Sequence, residues 1–277
     1  MTVLSVYGSN GFIGSEYCNL FNNHIPILRE QDEPETNDLL YFISTTHNYH
    51  VFDDMTLDVD TNLIKLLNVL KSCRKKYDKD FTFNFISSWF VYGKTDDLPA
   101  KEDSVCNPQG FYSITKRAAE QLIISYCETF DIKYRILRLC NVYSDYDKKS
   151  SKQRNALQYL ITEVVKGNDI NLYNRGENIR DFLHVKDVCR AIKLTIDSDK
   201  TINNIINIGS GVPTKFIDVM NYVKNKTNSP SNFNSIDPPH FHKVVQVRDM
   251  YLETSFLKSL GFIQSIDIHE GVDKLIE

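Results

Sequence analysis

Short apolar runs alternate with stretches of helical period along the first half of the chain. Residues 2–7 (TVLSVY) read as a strand, 8–14 (GSNGFIG) as a glycine-rich turn and 15–23 (SEYCNLFNN) as the helix that follows. A second strand is predicted at 25–30 (IPILRE) and a third apolar run at 38–45 (DLLYFIST). Residues 61–77 carry apolar positions at helical spacing. Residues 81–87 (FTFNFIS) form the next strand, 111–130 a long helix and 134–143 (YRILRLCNVY) another strand. Strand–helix alternation of this kind means βαβ units, and βαβ units mean a parallel sheet covered on both faces. The predicted fold is therefore α/β, a doubly wound parallel sheet, with residues 1–145 as its dinucleotide-binding domain.

Beyond residue 145 the alternation loosens. A polar loop is expected near 146–155, then a helix at 156–166 ended by Gly167. Strand–helix patterns follow at 178–196 and 203–227, a surface loop over 228–242 (NSPSNFNSIDPPHFH), and a helix near 253–260 closed by Gly261. Segment 182–211 is expected to add to the main domain, leaving 146–181 and 212–277 as a smaller lobe. Only seven residues (31–37, QDEPETN) separate the second strand from the third run, so the sheet is expected to lack one strand there.

The formal net charge is -4, which supplies no basic field for nucleic acid. No apolar run approaches the roughly 18 residues of a membrane span, and the N-terminus lacks a signal-peptide pattern. Six scattered cysteines without a C-x-x-C pair fit a reduced, cytoplasmic chain. Asn225-Lys-Thr matches a glycosylation sequon by chance on this reading. His240 and His242 near Asp237 are read as a solvated loop rather than a metal site, so no metal is expected.

Gly8, Gly11 and Gly14 space as G-x-x-G-x-x-G between the first strand and first helix. Such a turn lets backbone approach a phosphate while the helix N-terminus presents free N–H groups. Tyr112 and Lys116 (YSITK) lie four apart on one helix face, downstream of Ser88 at a strand end. A phenol of pKa ~10 becomes a base near neutrality only if neighbouring positive charge favours the phenolate, and a serine beside it can orient the same substrate oxygen. Tyr222 and Lys226 repeat the spacing without a serine-bearing strand before them and are assigned to a solvated helix face.

Together these words resemble the extended branch of the short-chain dehydrogenase/reductase superfamily, the sugar-nucleotide epimerases, dehydratases and reductases. Further matches support it. These are Asn62 opening the helix before the Ser88 strand, Asn141 in RLCNVY, the block Arg180-Asp181-Phe182 with Asp187, NIGSG at 207–211 and Arg248 in VRDMYLETSFLKSLGF. The resemblance implies Ser88, Tyr112 and Lys116 as catalytic residues. It implies cofactor contacts from Gly8, Asn10, Gly11, Phe12, Ile13, Gly14, Tyr112 and Lys116. It implies substrate contacts from Ser88, Trp89, Asn141, Arg180 and Arg248, with Arg248 on a nucleotide diphosphate. The cofactor is NAD(P). Arg29, followed by Glu30 at the end of the second strand, resembles the arginine-ended strand of GDP-fucose synthase and tilts the choice to NADP. The family's dehydratases carry an Asp-Glu pair where this chain has Trp89-Phe90, and neither aromatic can move the required proton. Trp89 either faces the sugar or nicotinamide, or belongs to the core. The implied function is a nucleotide-sugar 4-epimerase, with a 4-keto-6-deoxy sugar reductase as alternative and a non-catalytic dinucleotide sensor as an alternative of another class. Helices 61–73 and 111–127 resemble the pair through which family members form a four-helix-bundle homodimer.

Overall fold

The computed structural model describes residues 2–95, 97–145 and 155–276. The polar loop expected near 146–155 therefore lies almost wholly outside the described residues. The chain opens with β1 (Leu4–Tyr7), α1 (Phe12–Leu20), β2 (His24–Ile27) and β3 (Asp38–Tyr41). It continues with α2 (Leu57–Val59), α3 (Lys65–Tyr77), β4 (Thr82–Ser88), α4 (Phe111–Thr129) and β5 (Lys133–Leu139). Next come β6 (Asn141–Tyr143), α5 (Ala156–Val165), β7 (Ile170–Tyr173), β8 (Ile179–Arg180), β9 (Phe182–His184), α6 (Val185–Ile196) and β10 (Asn204–Ile208). The last elements are β11 (Thr214–Lys215), α7 (Phe216–Thr227), β12 (Phe233–Ile236), α8 (His240–Val245), α9 (Ser255–Ser259) and α10 (Ile268–Ile276).

Six strands form one parallel sheet in the order β10-β5-β4-β3-β1-β2. The doubly wound parallel sheet expected from the alternation is thus present. In the common dinucleotide-binding order 3-2-1-4-5-6 a further strand lies outside the second. Here β2 is the edge, because residues 28–37 are too few to hold a helix and a strand. That link is instead pinned beneath the sheet. The Ser5 hydroxyl accepts from the backbone N–H of Glu35 (3.0 Å) and Thr36 (2.8 Å), and the Tyr7 hydroxyl donates to the Asp32 carbonyl (2.8 Å).

The central strands are buried nearly end to end because both faces are covered, and their buried polar side chains, Asn84, Arg135 and Arg138 among them, are bonded internally. On one face α3 and α4 bury Leu66, Val69, Leu70, Ala119 and Ile123 against Tyr41, Phe83 and Phe85. On the other, α1 and α6 bury Tyr17, Val188 and Ile192 against Val6 and Ile206. A third cluster, built from α5, α7 and α10 with β7, centres on Ile161, Leu172, Met220 and Val272.

Two sequence expectations need correction. The stretch 228–242 is not simply a surface loop: β12 runs parallel to β7 over four residue pairs, and α8 starts at His240. Asn and Ser dominate β12, so no period-two apolar pattern marks it; backbone pairing, not side-chain burial, makes the strand. The run 134–143 also divides. Residues to Leu139 stay in the main sheet, while β6 leaves it to pair with β9.

Candidate functional site

The carboxyl ends of β1, β3, β4 and β5 open into a cleft of about 1690 Å³. Ligands in open α/β sheets bind at this end. Its walls include Gly8, Asn10, Gly11, Phe12, Ile13, Gly14, Arg29, Ser88, Trp89, Tyr112, Lys116, Asn141, Arg180 and Arg248. Of the site residues the sequence singles out, Glu30 alone does not line it.

The glycine turn is built for close approach. Gly8 sits at φ +81°, where a side chain is strained, and a Cβ on Gly14 would lie 2.2 Å from the Gly8 carbonyl oxygen. Gly11 caps α1 without a side-chain hydrogen bond, and no acid occupies the first turn. The leading N–H groups of α1 are left for an anion, which fits the pyrophosphate of a dinucleotide. Arg29 reaches the cleft from the end of β2. Two acids shortly after it are engaged with lysines: Asp32 with Lys65 (2.5 Å) and Glu33 with Lys76 (3.0 Å).

Ser88 ends β4, and its Oγ accepts from the Phe90 N–H (3.3 Å). Tyr112 stands in the first turn of α4, with the Ser88 and Ser44 hydroxyls as its side-chain partners. Burial outweighs both and pushes the phenol up to about 12. One turn on, Lys116 donates to the Ile86 carbonyl (2.5 Å) and lies 4.1 Å from the Phe85 ring centroid. Burial brings its ammonium down to about 7, against the opposing charge of Glu120. The expected lowering of the tyrosine by its lysine is therefore not produced by the chain alone. Desolvation dominates both groups, and Lys116 is turned to a backbone carbonyl.

Behind this pair, Glu120 fastens α4 to the sheet. Its carboxylate accepts from Ser87 Oγ (2.6 Å), Arg138 Nε (3.0 Å) and Nη2 (2.8 Å), and Arg117 Nη1 (2.8 Å). Asn62 lies in a π-helical turn, Asp60–Ile64, between α2 and α3. It donates to Thr45 and Thr115 and accepts from Ser44 Oγ and the Thr45 N–H.

Trp89 is core and wall together. It is 3% exposed, stacks on Phe90 (centroids 3.9 Å, 22°) and has the Arg180 guanidinium 5.3 Å over its ring. Phe90 meets Tyr112 edge to face at 5.8 Å. Arg180 donates to the carbonyls of Ile179, Val247 and Arg248 at 2.6–2.7 Å, and burial lowers it to about 10. Arg248 is exposed, beside Asp249 at 3.6 Å. The Asn141 side chain donates to the Asp181 carbonyl (3.2 Å).

Asp181 and Asp187 hold backbone. Asp181 accepts from the N–H groups of Ser210, Gly211 and Leu252, and Asp187 from those of Ser265 and Ile266. Tyr222 and Lys226 both bond Asp273 of α10, so the repeated Tyr–Lys spacing docks one helix on another and does not line the cleft. His242 bonds the Tyr49 hydroxyl through Nε2. Sequence reasoning missed Ser44, Tyr49 and Asp58. Ser44 stands at the end of the third apolar run and the other two on the more polar segment after it, and only the fold sets their register against α4.

Among relatives, a Methanocaldococcus jannaschii protein named as a putative UDP-glucose 4-epimerase is 28% identical over 219 residues, 79% of this chain and 69% of its own length. The fold matches a Thermus thermophilus UDP-glucose 4-epimerase solved with NAD (TM-score 0.85, 21% identity, 100% of this chain and 98% of that one). It matches equally a Pseudomonas aeruginosa protein, RMD, solved with NADPH (TM-score 0.86, 18% identity, 100% and 98%). Residues 40–209, more than half of the sequence, match a single family model, and the chain belongs to the NAD dependent epimerase/dehydratase family.

Proposed function

We propose that this protein moves a hydride at C4 of a nucleotide-activated sugar, and that it is a nucleotide-sugar 4-epimerase working through a 4-keto intermediate. The observation that carries this reading is the shared cleft. One cavity is lined by the glycine turn, by Ser88, Tyr112 and Lys116, and by Asn141, Arg180 and Arg248. NAD(P) when bound supplies the hydride carrier, and the glycine turn with Asn10, Phe12 and Ile13 holds its pyrophosphate. Tyr112 exchanges the proton of the sugar oxygen, Ser88 orients that oxygen, and Lys116 steadies the phenolate and the ribose. Arg248, exposed at the cleft wall, is free to fork onto a diphosphate. Trp89 and Phe90 stand where a dehydratase needs proton-moving acids, so loss of water from the sugar is not part of this reading.

A second reading, an NADPH-dependent 4-keto-6-deoxy nucleotide-sugar reductase, is favoured by Arg29. It lines the cleft while Asp32 and Glu33 are tied to lysines, an arrangement suited to a ribose 2′-phosphate. On either reading residues 1–145 with 182–211 form the cofactor domain, and 146–181 with 212–277 the substrate lobe. Ile64 and Leu67 in one segment, and Phe111, Ile114 and Leu122 in the other, are exposed apolar positions on the two helices of the proposed homodimer. Incubation with a panel of sugar nucleotides and both cofactors separates the readings. Product identity with no net change at 340 nm supports the epimerase. Stoichiometric loss of NADPH supports the reductase, and no turnover with any sugar nucleotide overturns both.

A further inference from the structure

Tyr49 and His242 are 193 residues apart in the chain, yet both line the cleft and they bond to each other, the Tyr49 hydroxyl with His242 Nε2. Other contacts cross at the same place. Phe241 packs on Phe52 (ring centroids 4.7 Å) and on Tyr49 (5.2 Å), and Lys94 donates to the Lys243 carbonyl (3.1 Å). The two sides are held very differently. Tyr49 lies in the 3₁₀ turn Asn48–Phe52, and the buried Asn48 side chain accepts from the Ser113 N–H in the first turn of α4 (3.3 Å). Opposite stands α8, six residues that bury only Val245. A helix of that length does not hold itself in water, so contacts with the rest of the protein keep it in place. Tyr173 of β7, the strand paired with β12, meets His242 at 4.8 Å. The contacts named before it reach α8 from across the cleft. Both ends of α8 run into cleft wall, residues 236–238 before it and 246–249 after it. Arg248 follows α8 by three residues, and the carbonyls of Val247 and Arg248 hold Arg180.

We propose that α8 is a lid on the cleft and that Tyr49 is a positioning residue for substrate, latching the lid through His242 so that Arg248 is set for the diphosphate of a nucleotide sugar. The role of Arg248 rests on the nucleotide-sugar reading above; the latch itself rests on the contacts between Tyr49 and α8. A ligand favours a closed lid only through contacts that it makes better in that state. An arginine carried by the lid's own connecting chain and forked onto a diphosphate is such a contact. Closure then needs little from α8 itself. The helix buries one side chain, so the hydrogen bond to Tyr49 and the two ring contacts of Phe241 are a large part of what holds it down.

The first measurement needs no ligand. Hydrogen exchange read by mass spectrometry follows a peptide spanning residues 240–245 in the wild type, Tyr49→Phe and His242→Phe. Each substitution keeps a ring and removes the bond between the two side chains. A hydrogen bond of ordinary net strength is worth about a two- to tenfold change in an opening equilibrium, and exchange from α8 should quicken by that factor. The double variant should exchange no faster than either single one, because all three lose the same bond. The second measurement uses Trp89, the sole tryptophan and a cleft residue, as a fluorescent reporter with UDP, GDP and dTDP as probes. The nucleoside diphosphate that binds should leave Tyr49→Phe about two- to tenfold faster than wild type, with NADPH dissociation unchanged. Unchanged exchange in the folded variants overturns the latch, and so do additive effects in the double variant. An equal rise in nucleoside diphosphate and NADPH dissociation overturns the assignment to substrate. If the wild type binds none of the three probes, the nucleotide-sugar reading falls with the role given to Arg248, while the exchange result still decides whether Tyr49 latches α8.

Discussion

Glu120→Ala tests whether helix α4 is locked to the sheet by charge. Glu120 is fully buried and receives four hydrogen bonds, two of them from Arg138, whose side chain is 1% exposed. Truncation leaves the Arg138 guanidinium buried with the Glu102 carbonyl (3.0 Å) and the Tyr92 ring (4.7 Å) as its remaining partners. Removing one partner of such a pair typically costs about 3–5 kcal/mol, because the survivor is left uncompensated. An exposed pair would cost about 0–1 kcal/mol. Urea unfolding at pH 7, followed by circular dichroism and by the fluorescence of Trp89, measures the difference. Burial pushes the Glu120 carboxyl up, but Arg138, Ser87 and Arg117 outweigh it and hold the group below its ordinary value. Its contribution is then fully present above the unfolded value of ~4.3 and is lost as pH falls through the lower folded value. The gap between wild type and Glu120→Ala should therefore narrow in acid. A loss under about 1 kcal/mol at pH 7 would refute the buried-lock argument.

Tyr112→Phe should lower turnover by ~10²–10⁴ and leave cofactor affinity nearly unchanged, whereas Tyr222→Phe, on the helix-docking pair, should leave turnover alone; steady-state kinetics on both variants checks this. Lys116→Met should stabilise the fold by at least about 1 kcal/mol at pH 6, since a buried ammonium brought down to about 7 is a burden wherever it stays charged. The advantage should shrink as pH rises from 7 toward the unfolded lysine value of ~10.4, and thermal melts across that range measure it. Arg29→Ala should weaken NADPH more than NADH; fluorescence titration with each cofactor decides, and equal weakening contradicts the 2′-phosphate assignment.

The parallel sheet was legible because βαβ alternation and buried apolar runs are local patterns. The missing edge strand was legible from seven residues of spacing. The candidate site was legible where spacing alone makes neighbours: Tyr112 and Lys116 share a helix face whatever the rest of the chain does, and both line the cleft. What the sequence could not show is where a polar side chain spends its hydrogen bonds. Arg180 reads as a free cation but is held by three backbone carbonyls. Asp181 and Asp187 were legible only as words of a family block; the structure shows them accepting from backbone N–H groups. Asp58 carries no signal in the sequence, and becomes a buried carboxylate only when α2 lies against α4. The strand β12 failed for the reverse reason, since its pairing leaves no apolar trace.

The two readings of the function differ in the first proton step. An epimerase begins by taking a proton from a sugar hydroxyl, so Tyr112 must start as phenolate. A reductase begins by giving a proton to a keto oxygen, so Tyr112 must start as phenol. With its own residues alone the chain favours the phenol: burial outweighs the Ser88 and Ser44 hydroxyls, the Asp58 charge acts with burial, and Lys116 is turned aside. An oxidised nicotinamide carries positive charge and opposes that bias, while a reduced one is neutral and leaves it intact. The same tyrosine is thus set for whichever direction the bound cofactor dictates, and the bias to be overcome is larger for oxidation.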